Sequence, residues 1–215
     1  MSDVAMQIPD SFDFNETDVS RPKPAQYREG VFKGEIVRMA SVLSKTNNMQ
    51  LEFGIRAVDE SGAVAGPEIR HYVAIPLPNP QVPGHTPFTA TAKQTTGQVR
   101  DRMYGKARDL IRAVGIVLPA FPKKRDSGQY YDPDTDETLT PLEQRAKAQA
   151  VDMSTLAQLQ AWWIAGRKKE EPLVGKQLYF ETYRNGQYTN VQYVRGTAPD
   201  GKEVIWSDFT GEVPF

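Results

Sequence analysis

The chain has 215 residues, which is long enough for one core with a sizeable insertion. It contains 26 Lys and Arg and 27 Asp and Glu, a formal net charge of −1. It has no cysteine and two histidines, which excludes disulfides and thiolate metal sites and argues against a zinc site built without carboxylates. No apolar run approaches the roughly 20 residues that span a bilayer, and the first residues lack a signal-peptide pattern, so we expect a cytoplasmic protein.

The small net charge hides a segregation along the chain. Residues 1–20 carry five acids and no base, whereas 21–125 carry 17 bases and 8 acids, a net charge of +9. We interpret 1–24 as an acidic flexible arm and 25–206 as one folded domain. A basic body with acidic ends is typical of proteins that bind polyanions, although a solvated surface with uneven charge would give the same counts.

Two strand-like runs within 30–59 predict a long antiparallel hairpin. In the second run Met49, Leu51, Phe53, Ile55 and Ala57 alternate with mostly polar residues, the period-2 pattern of a half-buried strand. The first run, 31–39, is rich in β-branched and aromatic residues. Between the runs an Asn-Asn pair tolerates a left-handed backbone, so we expect a turn with a lysine near its tip.

A third strand is predicted at 68–75, followed by a proline-rich excursion over 76–96. The clearest helix comes next, with Thr96 as its predicted N-cap and Gly115 as its stop. Its apolar face is formed by Val99, Met103, Ala107, Leu110, Ile111 and Val114.

The polar segment 119–141 contains acids at the spacing of a calcium-binding loop. Counting Asp132 as position 1 places Asp134 and Asp136 at 3 and 5 and Glu143 at 12. Position 6 holds Glu137 where the sharp turn of such a loop needs glycine. We therefore favour an acidic flexible loop over a cation site.

Helical patterns resume over 141–163, with an apolar series that we expect to face the core, and at least one residue of the Trp162-Trp163 pair is expected to be buried. The predicted helical face consists of Leu142, Ala146, Ala150, Leu156, Leu159 and Trp163.

Strand patterns return at 176–184 and 188–195, joined by Asn185-Gly186, the strongest short hairpin signal.

Three strands, a helical excursion and two closing strands predict a mainly β fold. We expect a five-stranded oligonucleotide-binding (OB) barrel, with an insertion at about 77–172 that supplies helices between strands 3 and 4. The sequence also resembles phage-encoded single-stranded DNA-binding proteins of the OB fold. The resemblance is carried by residues 34–36, 44–53, 173–176 and 188–191.

This resemblance implies sequence-tolerant binding of exposed single strands in phage DNA replication, recombination and repair. Cations interleaved with aromatics on a sheet can pair with phosphates and stack on bases, so we expect the contacts to come from outward-facing strand residues. The candidates are Lys33, Arg38, Lys45, Arg56, Arg70, Tyr72, Arg184, Tyr188, Tyr193 and Arg195.

The last residues, 207–215, are similar to the acidic tail of bacterial single-stranded DNA-binding proteins, although Thr210 and Gly211 stand where that tail has acids. The resemblance implies a docking peptide for replication and repair proteins. Its candidate contacts are Asp208, Phe209, Glu212, Val213, Pro214 and Phe215.

Other functional classes remain open at this stage. The sequence has no phosphate-cradling glycine loop and no Gly-x-Ser-x-Gly elbow, so we expect no enzyme and no cofactor. A carboxylate-metal nuclease using the acids of 132–143 is one alternative. An acidic adaptor that binds a host replication or transcription protein without DNA is another. Oligomerisation is possible.

Overall fold

The computed structural model describes residues 27–185 and 188–206, and the predicted arm and tail lie outside these ranges. The described residues form seven strands and two helices. In chain order they are β1 (Gly30–Leu43), β2 (Met49–Ala57), β3 (Ile69–Ala74), α1 (Thr96–Ala113), β4 (Lys123–Lys124), β5 (Tyr130–Tyr131), α2 (Pro141–Arg167), β6 (Gln177–Asn185) and β7 (Tyr188–Arg195).

Five of the strands form one antiparallel sheet in the order β3-β2-β1-β6-β7, and both helices lie in sequence between its third and fourth strands. The mainly β class with a helical insertion is therefore confirmed. Within the described residues the edge strands β3 and β7 approach each other without being hydrogen-bonded, so a closed barrel is not found. Helix α1 packs against both edges.

The long first strand organises the sheet because it pairs with β6 along its first half and with β2 along its second half. A register shift between Ile36 and Arg38 marks the change of partner and bends the strand. The core covers the inner face, where Phe32 stacks on Phe180 with ring centroids 5.5 Å apart. Gly34 is required beside this pair, because a Cβ there would lie 2.5 Å from Phe180 Cε1.

The predicted turn of the first hairpin is confirmed in detail. Asn47 adopts the left-handed conformation, with a φ of 61°. Its carbonyl oxygen accepts a hydrogen bond of 3.0 Å from the side-chain amide of Asn79, a buried residue in the proline-rich excursion. The excursion is irregular, as predicted, and Asn79 fixes it against the turn.

Helix α1 confirms the predicted apolar face, since all six of its residues are buried. The N-cap is Thr95 and not Thr96, because Thr95 and Gln98 form a reciprocal capping box. Gly115, just beyond the helix, has a φ of +85°, the conformation that commonly ends a helix.

Helix α2 contradicts the first half of its predicted face: Leu142, Ala146 and Ala150 are exposed, whereas Leu156 is half-buried and Trp163 packs against the core. Leu159 and Trp162 are buried, which confirms the core prediction for one tryptophan, but Leu142 at the start of the predicted face is 78% exposed. The buried face is formed by Val151, Thr155, Leu159 and Trp162. The helix carries two apolar faces, and the one with the larger side chains packs on the body of the protein.

The last described residues run beside the sheet. The N–H of Ile205 donates to the carbonyl oxygen of Val31, and Val204 forms an isolated parallel bridge with the same residue. None of the helices in 27–185 and 188–206 is long and apolar enough to cross a membrane.

Candidate nucleic-acid interface

One group of predicted contact residues meets on the outer face of β1, β2 and β3. Antiparallel register places Arg38 and Arg70 beside Gly54, and Tyr72 beside Glu52. The Arg38 guanidinium lies 2.7 Å from Glu52 and 3.0 Å from Glu68. We call this group the compensated patch, because its two arginines face two carboxylates; it consists of Arg38, Glu52, Glu68, Arg70 and Tyr72.

The most buried member of the compensated patch is Glu52, which is 8% exposed although it lies on the polar side of β2. Burial alone would raise the pKa of Glu52, but hydrogen bonds from Tyr72 and Arg38 and the charges of Arg38 and Arg70 outweigh it and lower this pKa. The hydrogen bond to Glu52 in turn raises the pKa of Arg38. Arg38 is therefore engaged in an intramolecular ion pair.

A second group lies on the outer face of β1, β6 and β7. Register aligns Lys33 with Tyr179, and Tyr179 with Arg195. The Arg195 guanidinium lies 5.6 Å from the ring centroid of Tyr193, a side chain that is 42% exposed. We call this group the tyrosine–cation patch; it consists of Lys33, Tyr179, Tyr193 and Arg195.

The cations of the tyrosine–cation patch differ from those of the compensated patch in their partners. Among the described residues, neither Lys33 nor Arg195 has a carboxylate at ion-pairing distance. The neighbouring acid, Glu181, is paired with Lys202. Burial raises the pKa of Asp109 on α1, and the charges of Arg112 and Arg195 oppose that rise. The patch therefore presents two cations and exposed aromatic surface.

Sequence reasoning missed Tyr179. The signal was present, because Tyr179, Glu181 and Tyr183 alternate along β6 with the buried residues Leu178 and Phe180. The alternation places Tyr179 on the outer face, but its alignment with Lys33 and Arg195 depends on register, which the pattern of one strand does not give.

The other candidates are dispersed. Lys45 is exposed in the first turn, whereas the Arg56 side chain donates to the carbonyl oxygen of Gly66 at 2.8 Å. Arg184 is exposed near the C-terminal end of β6. The backbone of Tyr188 belongs to β7, but its side chain and all six tail candidates of 208–215 lie outside the described part of the protein.

The acidic loop does not bring its carboxylates around a common point. The ammonium group of Lys147 bridges Asp132 and Asp134, and its hydrogen bond lowers the pKa of Asp132. Asp136 lies 2.7 Å from Arg125, and Glu143 caps α2 by bonding to Thr140. Within 27–185 and 188–206, no group of three or more acids and histidines is arranged to hold a metal ion. The four acids have structural partners instead.

A groove of about 750 Å³ between α1 and α2 was not predicted. Its wall contains Arg108, which pairs with Asp152 at 2.8 Å and lies 4.7 Å from the ring centroid of Phe121. Burial raises the pKa of Asp152 against the opposing charge of Arg108. This ion pair ties the two helices together.

Comparison with known proteins adds no assignment to this geometry. The sequence matches no protein-family model and no curated protein.

Proposed function

We propose that the protein binds single-stranded DNA with little sequence preference, on the outer surface of an OB-type barrel. The strand order supports this architecture, because a three-stranded meander and a closing hairpin share the long strand β1 and the two edges of the sheet approach each other. An OB barrel has this connectivity, with its helix inserted between strands 3 and 4.

The tyrosine–cation patch carries the proposal. Binding of single strands without sequence preference needs cations for the phosphates and aromatic faces for the bases, within one surface. Lys33 and Arg195 lie on either side of Tyr179, and Tyr193 lies beside Arg195. Among the described residues no carboxylate lies at ion-pairing distance from either cation, and the charge of Asp109 acts on Arg195 only from a longer range, so a phosphate meets less competition here than at Arg38.

The compensated patch is expected to contribute mainly through Tyr72, whose side chain is 41% exposed. A phosphate approaching Arg38 would compete with both Glu52 and Glu68. We therefore propose that phosphate contacts concentrate on β1, β6 and β7, and that bases stack on the tyrosines of either patch.

Fluorescence anisotropy with labelled probes tests the activity itself. We expect a single-stranded DNA oligonucleotide to bind more tightly than the matched duplex, and its affinity to fall steeply as salt increases, because bound cations release counterions. Equal or tighter binding to the duplex, or binding that salt leaves unchanged, contradicts the proposal. Absence of any retention on DNA favours the adaptor alternative. An RNA probe of the same sequence measures the preference for DNA.

A matched pair of arginine variants tests the location. Arg195→Gln removes a cation of the tyrosine–cation patch, and we expect it to reduce the slope of log affinity against log salt by about 0.7, the value for one phosphate contact on a single strand. Arg38→Gln removes the same charge from the compensated patch and is expected to leave the slope nearly unchanged. Equal effects of the two variants would refute the assignment of phosphate contacts to Arg195.

Two tyrosines of similar exposure test the stacking contact. Tyr193→Ala is expected to cost about 1 to 3 kcal/mol of binding free energy if a base stacks there. Tyr183→Ala is the control, because Tyr183 is 39% exposed and lies toward the other end of the same hairpin. If the role of Tyr193 is structural, its variant loses thermal stability while the affinity of the folded protein is unchanged.

We further propose that residues 207–215 recruit replication or repair proteins in a phage-infected cell. The segment combines the acids Asp208 and Glu212 with the apolar residues Phe209, Pro214 and Phe215, a combination suited to an apolar pocket flanked by cations. Deleting 207–215 is expected to leave DNA affinity unchanged or slightly raised at low salt, and to abolish binding to a tail-recognising partner. A large loss of DNA affinity would contradict this role.

A further inference from the structure

Helix α2 carries a second apolar face on the side opposite the one that packs on the core. Met153 lies at the edge of the groove between α1 and α2, and Ile164 lies at the edge of a groove beside Met49 and Ile75. Three large side chains on this face are exposed: Leu142 by 78%, Met153 by 59% and Ile164 by 55%. Successive members are separated by three or four residues, so they lie on one side of the helix, opposite the face that packs on the core. This outer stripe consists of Leu142, Ala146, Ala150, Met153, Ala157, Ala161 and Ile164.

We propose that the outer stripe is the dimer interface of the protein, and that it pairs with the outer stripe of a second copy in antiparallel orientation. Leu142 and Ile164 lie at equal sequence distances on either side of Met153. A two-fold axis through Met153 therefore places Leu142 against Ile164 of the second copy. Such a contact is isologous, because each copy contributes the same surface.

The small residues between these three positions suit close helix packing. In the antiparallel register Ala150 lies within one residue of the position opposite Ala157 of the second copy, and Ala146 lies within one residue of the position opposite Ala161. Alanines allow the two backbones to approach, while the large side chains at the centre and the ends fill the space that the crossing helices leave. The helix has 27 residues, a length of about 40 Å, so the stripe extends over several turns.

Exposed charge at the two ends of α2 favours the antiparallel orientation by a small margin. Near its start Glu137 is exposed, while the other acids of 132–143 pair with Lys147 or Arg125 or cap the helix. At its other end Arg167, Lys168 and Lys169 precede Glu170 and Glu171, a net charge of +1. An antiparallel pair brings the acidic approach of each copy to the basic end of the other. A parallel pair would place like charges together at both ends.

Two double variants at the same pair of positions test this register. Ala150→Glu/Ala157→Glu places two carboxylates opposite each other across the proposed interface, twice per dimer. Ala150→Glu/Ala157→Lys places a carboxylate opposite an ammonium group at the same positions. Both variants put charged residues of high helix propensity at exposed positions, so the two helices are matched in intrinsic stability. Circular dichroism checks that both variants are folded.

Sedimentation equilibrium over a micromolar concentration series gives the result. We expect the unmodified protein to approach twice its chain mass of 24.1 kDa as concentration rises. The Glu/Glu variant should remain monomeric there, and the Glu/Lys variant should dimerise with an affinity that falls as salt increases. An unmodified protein that stays monomeric throughout overturns the proposal. So does a Glu/Glu variant that dimerises normally, or a Glu/Lys variant that is as monomeric as Glu/Glu.

Discussion

A buried histidine makes the stability of this protein depend on pH in a defined window. His71 on β3 is 4% exposed and pairs in register with Phe53. Burial lowers its pKa from 6.5 to about 4, and the nearby positive charge of Lys106 on α1 acts in the same direction. The folded protein therefore holds this imidazole neutral at pH values where an unfolded chain would protonate it.

The sign and size of the effect follow from these two pKa values. Between pH 6.5 and about 4 the unfolded state binds more protons, so the free energy of unfolding falls as pH falls. From pH 7 to pH 5 this single group is expected to remove about 2 kcal/mol. Below the folded pKa the loss from His71 levels off, because both states are then protonated.

Urea denaturation at pH 7, 6 and 5 measures this loss, and the chain supplies its own control because it has only two histidines. We expect His71→Leu and His71→Gln each to flatten the pH dependence, whatever their stability at pH 7. His85→Gln, which removes the acceptor of a hydrogen bond from the Asn79 N–H, is expected to leave the dependence on pH in place. If the His71 variants keep the same slope as the unmodified protein, the buried neutral imidazole is refuted.

Two further substitutions test the packing and the charges of the sheet. Gly34→Ala is expected to cost about 1 to 3 kcal/mol in urea denaturation, because the new Cβ would lie 2.5 Å from Phe180 Cε1 and 2.9 Å from the Arg56 carbonyl oxygen. Gly105→Ala in α1 is the control, because a Cβ at Gly105 would have no neighbouring atom within 4 Å, and this variant should be more stable by up to about 1 kcal/mol. An equal loss of stability in the two alanine variants would contradict the steric explanation. Glu52→Gln is expected to destabilise by about 1 to 3 kcal/mol at pH 7. Because the folded pKa of Glu52 is lowered, its contribution to stability is present above the unfolded value of 4.5 and is lost as pH falls through the folded pKa. The variant should therefore lose less stability than the unmodified protein on acidification. If both proteins lose the same stability at acidic pH, that result would count against the Glu52 ion pair.

The elements that sequence predicts well are those with a single apolar face. Helix α1 has one such face, and all six of its predicted members are buried. The first hairpin is specified by alternation and by a residue that tolerates a positive φ at Asn47. In these cases local pattern and tertiary packing select the same side chains.

The predictions fail where a segment has two apolar faces, or where a residue's partners come from another strand. Helix α2 has apolar residues on opposite sides, and periodicity alone does not tell which side meets the core. Glu52 occupies a polar position in its own strand, yet Arg38 and Tyr72 from the two neighbouring strands cover it. Pairing register and the approach of β3 to β7 are properties of the assembled sheet, which no single segment encodes.

Register also decides which positive charges a polyanion can reach. Residues 21–125 carry a net charge of +9, but Arg38, Arg56 and Arg125 in that segment already bond to carboxylate or carbonyl oxygens. A cation counted from sequence is therefore not always a cation available to DNA, since a phosphate must compete with the partner that the fold supplies. Arg195 lies outside the basic segment, yet its alignment with Tyr179 and Lys33 is why we propose for it the phosphate contact that charge counting would assign to Arg38. The difference between Arg195→Gln and Arg38→Gln in salt dependence thus tests whether strand pairing, more than local charge density, places the DNA.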